Sequence, residues 1–201
     1  MNKQVTIRIA KLSDAPAILG IYKPFILETA ITFEEFVPGI DEFKERMEGI
    51  MRDCPYLVCE MDGKVVGYAY ASAHRTRSAY RRNKEVSVYI DPNYRRENIA
   101  KALYTSLFAI LKKQGFANLL AGITLPNEAS VKLHESMGFV KCAEYHHIGF
   151  KLGSWHSVGW WECCLLDKLE ETPPEPVPFS EFSKRGELSS LICAGEGLFK
   201  I

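Results

Sequence analysis

One stretch, Glu85 to Lys101 (EVSVYIDPNYRRENIAK), gathers the residues with the most chemistry to offer. It begins with a carboxylate, alternates Val86, Val88 and Ile90 with Ser87 and Tyr89, and turns at Asp91-Pro92-Asn93. Such alternation marks a strand with one buried face, and the Asp-Pro-Asn run ends it. Beyond the turn, Ile99, Leu103, Leu107, Ile110 and Leu111 recur at three- and four-residue spacing, which starts a helix near Asn98. The first N–H groups of a helix have no intrahelical partners and carry partial positive charge. With Arg95, Arg96 and Lys101 around them, they form a cradle suited to a polyanion such as a pyrophosphate. Glu85, ahead of the same strand, is placed to serve as a base beside it. On residue type alone, the arginine pair also fits a solvated basic edge.

The order of motifs along the chain adds a resemblance. Arg95-Arg96-Glu97-Asn98-Ile99-Ala100 resembles the R/Q-x-x-G-x-G/A pyrophosphate loop of the GNAT superfamily of N-acetyltransferases, which bind acetyl-CoA. The segments NKEVSVYI, LPNEASVKLHESMGF and GFKLGSWHSVGWW resemble, in the same order, the phosphinothricin and methionine sulfoximine acetyltransferases of that superfamily, across roughly residues 4 to 167. The resemblance implies acetyl-CoA-dependent transfer of acetyl to the α-amine of a small amino acid or analogue, such as phosphinothricin, methionine sulfoximine or methionine sulfone. It implies that the backbone of Val88, Tyr89 and Ile90 meets the pantetheine arm. The pyrophosphate would lie against Arg95, Arg96, Glu97, Asn98, Ile99, Ala100 and Lys101, with a further contact from the helix-capping Asn127. Glu85 takes the role of catalytic base.

One position departs from the family pattern: the central glycine of the loop is Asn98 here. Asparagine is the next most tolerant residue of left-handed geometry, at a cost on the order of 1 kcal/mol, so cofactor binding is expected to survive. Many superfamily members carry a tyrosine seven residues after the capping asparagine to protonate the departing thiolate, and His134 stands there in this chain. It serves either as that acid or as a structural partner of a neighbouring carboxylate or carbonyl.

Substrate choice is expected in His74-Arg75-Thr76-Arg77-Ser78-Ala79-Tyr80, just upstream of Glu85. Guanidinium groups at Arg75 and Arg77 suit a carboxylate or phosphinate, while the alternative is a basic surface loop. The family position supports Arg75, Arg77 and Tyr80. Ser87 and, within ETAITFEE, Phe33 complete the substrate set by resemblance, although an aromatic at that place also fits a core. Trp160 and Trp161 alternate across a strand, so one faces the core and the other a pocket or a partner. A homodimer that shares its active site is implied by the resemblance alone.

Composition narrows the function classes. Lys plus Arg and Asp plus Glu both number 25 in 201 residues, a net charge of zero, so no global field favours nucleic acid or an anionic membrane. No apolar run approaches the roughly 20 residues that span a bilayer, and the N-terminus lacks a secretory signal, which makes the cytoplasm the expected location. The six cysteines form no C-x-x-C pair, several sit in apolar strand-like runs and read as small core residues, and no disulfide framework or metal site is implied. No metal is expected.

The elements that must position these residues are a strand at Val5–Ala10 and a helix opened by Ser13-Asp14-Ala15-Pro16. A helix over 40–52 and a hairpin about Asp62-Gly63 follow, then the 85–90 strand and the helix closed by Gly115. A strand at 119–124, a helix over 127–137 and strands at 139–148 and 158–166 complete the set. Together they predict an α/β (α+β) fold, a mixed and mainly antiparallel sheet flanked by helices. Residues 1–168 form the acetyltransferase domain, and 169–201 a proline-rich linker with a tail that is apolar enough to dock but too short to fold alone. Two other functions stay open: acetylation of a peptide N-terminus, polyamine or aminoglycoside, and a non-catalytic acyl-CoA-binding module.

Overall fold

The computed structural model describes residues 4–166, 168 and 170–199. Seven strands form one sheet in the order β1-β2-β3-β4-β5-β7-β6. They are β1 (Val5–Ile9), β2 (Tyr56–Met61), β3 (Lys64–Ala73), β4 (Asn83–Ile90), β5 (Asn118–Leu125), β6 (Val140–Lys151) and β7 (Ser154–Cys164). All neighbours pair antiparallel except β4 and β5, so the sheet is mixed and mainly antiparallel as expected. The helices are α1 (Ala15–Glu28), α2 (Ile40–Asp53), α3 (Ile99–Gln114), α4 (Glu128–Ser136) and two short ones, α5 (Phe179–Phe182) and α6 (Leu188–Ile192).

Turn chemistry sets most boundaries. Asp62 and Gly63 join β2 to β3 with φ of 49° and 80°, the paired left-handed conformations of a tight hairpin. Gly115 closes α3 at φ 90°, where a side chain would be strained. The β6–β7 hairpin is longer than the periodicity indicated, turning at Leu152-Gly153 with φ of 51° and 75°. Its register slips between Tyr145 and Gly149, which breaks the alternation that would have marked β6 through to its end.

Helix α3 covers one face of the sheet, with Leu103, Leu107 and Leu111 buried among Leu57, Ala69 and Leu119. Helices α1 and α2 cover the other, with Ile18, Phe25, Phe43 and Met47 against Tyr56, Val58 and Tyr68. The central strands β2 and β3 are therefore buried on both faces, whereas β4 buries Val86 on one face and covers its other face only in part. Tyr89 packs its ring 4.9 Å from Tyr22 and 5.2 Å from Phe25, because a tyrosine can fill a core while counting as polar in a pattern. Cys54 and Cys59 are core residues, but Cys142, Cys164 and Cys193 are exposed.

The proline-rich segment and tail lie on the domain. Arg82 donates to the Pro173 carbonyl at 2.7 Å, and Arg81 pairs with Glu175 at 2.6 Å. Gln114 and Val177 exchange two bonds of 2.8 Å. Phe179 and Phe182 enter the α3-side core, Phe182 completely buried. Helix α6 and a 3-10 turn, Cys193–Leu198, then contact α3 and β1. The tail thus packs onto the domain; Lys200 and Ile201 lie outside the described residues.

Candidate functional site

The site starts from a defect in the sheet. Parallel β4 and β5 pair only where Asn83–Glu85 meets Asn118–Leu120, and beyond Glu85 they part. A cavity of about 70 Å³ opens between them, bounded by Val86–Tyr89 on one side, Ala121–Thr124 on the other, and Tyr104, Asn127 and His134. Among the described residues, β4 from Val86 to Ile90 pairs with β3 on one edge and with no strand on the other, so alternate N–H and C=O groups there have no sheet partner. Glu85 is the last paired residue before the fork. It lies within the strand rather than ahead of it.

A groove of about 780 Å³ continues from the fork across the N-terminus of α3. Val88, Tyr89, Ile90, Arg95, Arg96, Asn98, Ile99, Ala100, Lys101 and Asn127 all line it, together with Ile31, Ala129 and Ser130, which sequence reasoning did not name. Glu97 is half-buried and does not line it. Arg96 and Asn98 take φ of 69° and 61°, two left-handed residues within one short loop, a geometry that turns successive backbone N–H groups toward one side. Among the described residues, Arg95, Arg96 and Lys101 have no ion-pair partner, which leaves their charge to the groove. Asn127 accepts the Ser130 N–H at 3.2 Å and so caps α4 as expected.

Among the described residues, the Glu85 side chain has one close partner. The Nδ1 of His74 lies 2.7 Å from Glu85 Oε1, and because a carboxylate can only accept, the ring hydrogen sits on Nδ1. The His74 ring meets Trp160 edge-on at 5.6 Å and Tyr80 at 6.1 Å. Trp160 lies over Gly122, where an added Cβ would come within 3.3 Å of the indole, and its buried Nε1–H has no acceptor among the described residues. Trp161 faces the opposite way into the core, as alternation required. His74 was inside the predicted substrate segment but was not singled out. Its link to Glu85 follows from Ser72 pairing with Glu85, which puts a residue two positions on above the same face, and register of that kind is invisible in sequence.

The remaining candidates are spread around this pair. Arg75 and Arg77 are exposed in the loop after β3 and have no ion-pair partner among the described residues. Tyr80 touches His74. Ser87 lines the cavity and stands opposite Tyr70 in the β3–β4 pair. Phe33 lies on the β6–β7 hairpin, its ring over Gly149 and 6.3 Å from His156.

His134 is 4% exposed, and burial holds its pKa below the ordinary histidine value, partly offset by its bond to the Ser130 carbonyl. Nδ1 donates to that carbonyl at 2.8 Å, which leaves Nε2 to accept from the Tyr104 hydroxyl at 3.2 Å. The ring is therefore neutral near pH 7. Because the unfolded chain takes up a proton near pH 6.5 that the folded chain resists, stability present above that pH is lost as pH falls toward the lower folded value. Denaturation curves between pH 7 and 5 should show this loss in the wild type, and His134→Phe should flatten it.

Residues 7–160 match the acetyltransferase (GNAT) domain family. The chain is 34% identical to a phosphinothricin N-acetyltransferase of Streptomyces viridochromogenes, over 88% of this chain and 94% of that one. It is 32% identical to an L-methionine sulfoximine/L-methionine sulfone acetyltransferase of Salmonella typhimurium, over 75% of this chain and 89% of that one. A solved phosphinothricin acetyltransferase of Sinorhizobium meliloti in complex with AcCoA superposes with a TM-score of 0.82, at 34% identity, over 86% of this chain and 95% of that one. A forked sheet with a cationic groove at its mouth, a matching domain and relatives of this identity lead to one assignment: the chain belongs to the GNAT family of acetyltransferases and is an N-acetyltransferase.

Proposed function

We propose that this enzyme transfers acetyl from acetyl-CoA to the α-amine of a small amino acid or analogue, of the phosphinothricin, methionine sulfoximine or methionine sulfone type. The observation that carries the reading is Glu85 at the fork, between the groove on one side and the His74, Arg75, Arg77 loop on the other. The residues present fit acetyl-CoA. An unpaired strand edge suits an amide-bearing arm, and Arg95, Arg96 and Lys101, without ion-pair partners among the described residues and beside a helix N-terminus, suit a pyrophosphate.

Acetyl-CoA supplies an acyl group on a thioester. Glu85 accepts the proton that the amine must lose as its nitrogen bonds to the acyl carbon and the C–S bond breaks, either directly or through one water. His74, by donating to one carboxylate oxygen, holds Glu85 in place and leaves the other oxygen for that proton. The free N–H groups of β4 stabilise the charge that develops on the acyl oxygen. His134 acts as a positioning residue for Tyr104 rather than as the acid, since its Nδ1–H is committed to Ser130; His134→Phe should lower kcat less than tenfold. A homodimer in the cytoplasm, where acetyl-CoA is made and used, completes the reading. The exposed Val140, Tyr145, Ile148 and Phe150 on edge strand β6 give such a dimer an apolar contact.

Arg75→Ala and Arg77→Ala test the substrate class. Each should raise KM for phosphinothricin or methionine sulfoximine, by a loss on the order of 2 kcal/mol or more if the contact is partly desolvated, and spare KM for acetyl-CoA. The wild type should use the matching amine without its carboxylate poorly. Equal use of both amines would bring peptide or polyamine substrates forward.

A further inference from the structure

Asn98 is where this chain departs from the family loop, and it is also where the tail arrives. Its side-chain Nδ2 donates to the Leu198 carbonyl at 3.1 Å, while its backbone holds φ 61° and ψ 14°. That left-handed conformation carries a penalty of roughly fivefold or more in population for a residue with a side chain, which glycine escapes. The turn that brings Leu198 to it is fastened independently. Gly195 N–H donates to Ser106 Oγ at 3.1 Å, and the Ser106 hydroxyl donates to the Ile192 carbonyl at 2.6 Å. Glu196 Oε1 accepts the Ile7 N–H of β1 at 2.9 Å. Gly195 lies so close to the first turn of α3 that an added Cβ would stand 1.9 Å from the Ala102 carbonyl oxygen. Ala102 N–H in turn donates to the Asn98 carbonyl at 2.9 Å, so the tail touches both ends of one helical turn.

From this we infer that the turn Cys193–Leu198 clasps Asn98 in its left-handed conformation and thereby positions the backbone donors at the start of α3 for the pyrophosphate of acetyl-CoA. Asn98, Ser106 and Gly195 are positioning residues, not contacts of the reacting atoms. The inference rests on the reading of this loop as the pyrophosphate site. It explains how asparagine stands where the family has glycine: the tail holds the conformation that glycine adopts unaided.

A cycle of full-length variants tests it. Gly195→Ala drives a methyl into the Ala102 carbonyl and dislodges the turn; Ser106→Ala removes two of its bonds without adding bulk and serves the same cycle if the first variant does not fold. Acetyl-CoA binding is titrated calorimetrically without amine in the wild type, Gly195→Ala, Asn98→Gly and the double variant. With Asn98 present, loosening the turn should weaken acetyl-CoA binding about five- to tenfold, from the lost bond and the unsupported conformation together. In the Asn98→Gly background the same change should cost less than about twofold. KM for the amine should not move in either. By reciprocity, acetyl-CoA should slow hydrogen exchange at Gly195 N–H. Equal weakening in both backgrounds, no weakening with Asn98, or exchange indifferent to acetyl-CoA would each overturn the clasp. Failure of the wild type to bind acetyl-CoA would instead remove the reading of the loop itself.

Discussion

Glu85→Gln is expected to lower kcat by roughly 10²-fold or more while acetyl-CoA affinity stays nearly unchanged. The substitution is close to isosteric. Glutamine keeps a side-chain oxygen that accepts from His74 Nδ1, so the 2.7 Å contact and the packing of His74 on Trp160 survive. What it loses is the ability to take a proton. Glu85 ends the paired part of β4, so its removal as a base leaves the groove beyond it intact. Thiol release measured across pH, beside calorimetric titration of acetyl-CoA, separates the two effects. Turnover close to wild type at every pH would eliminate Glu85 as the base. A fall in cofactor affinity equal to the fall in kcat would mean that the side chain supports the fork instead.

The sequence exposed this site because its parts are local. The strand, turn and helix from Glu85 to Lys101 are contiguous, and the left-handed loop residue, the helix start and the basic cluster all follow from neighbours a few positions apart. Asn127 and its helix were legible for the same reason. What was not legible depends on register and long-range packing. The parting of β4 from β5, the placement of His74 against Glu85 and the bond from Asn98 to Leu198 join residues 11 to 100 positions apart. Patterning also assigned the faces of β4 by polarity, and Tyr89 defeated it by packing its ring with Tyr22, Phe25 and Tyr68. The tail misled for a related reason. Phe179 and Phe182 are two apolar residues in a polar, proline-rich run, too few to register as an element until the surface that receives them is known.

That surface makes the second large prediction one of stability. The sequence alone suggests that truncation after Lys168 leaves a folded, cofactor-binding domain. The packing argues otherwise. Phe182 is fully buried and Phe179 nearly so, both within the core that α3 builds on the sheet, and removing one such phenylalanine side chain costs about 3 to 5 kcal/mol. Truncation would remove both, strip Gln114 of its Val177 partners and expose Leu103 and Leu107 neighbours along α3. Against a total stability of roughly 5 to 15 kcal/mol, that loss is enough to unfold the chain. Phe182→Ala in the full-length protein is the measurable version. For a chain of this size it should lower Tm by roughly 6 to 20 °C, while kcat measured well below Tm stays near wild type because Phe182 lines neither the cavity nor the groove. Chemical denaturation gives the same answer through a lower midpoint. A truncated protein that keeps the wild-type Tm would show that α5 rests on the core without completing it, and the one-body packing of tail and domain would have to be abandoned.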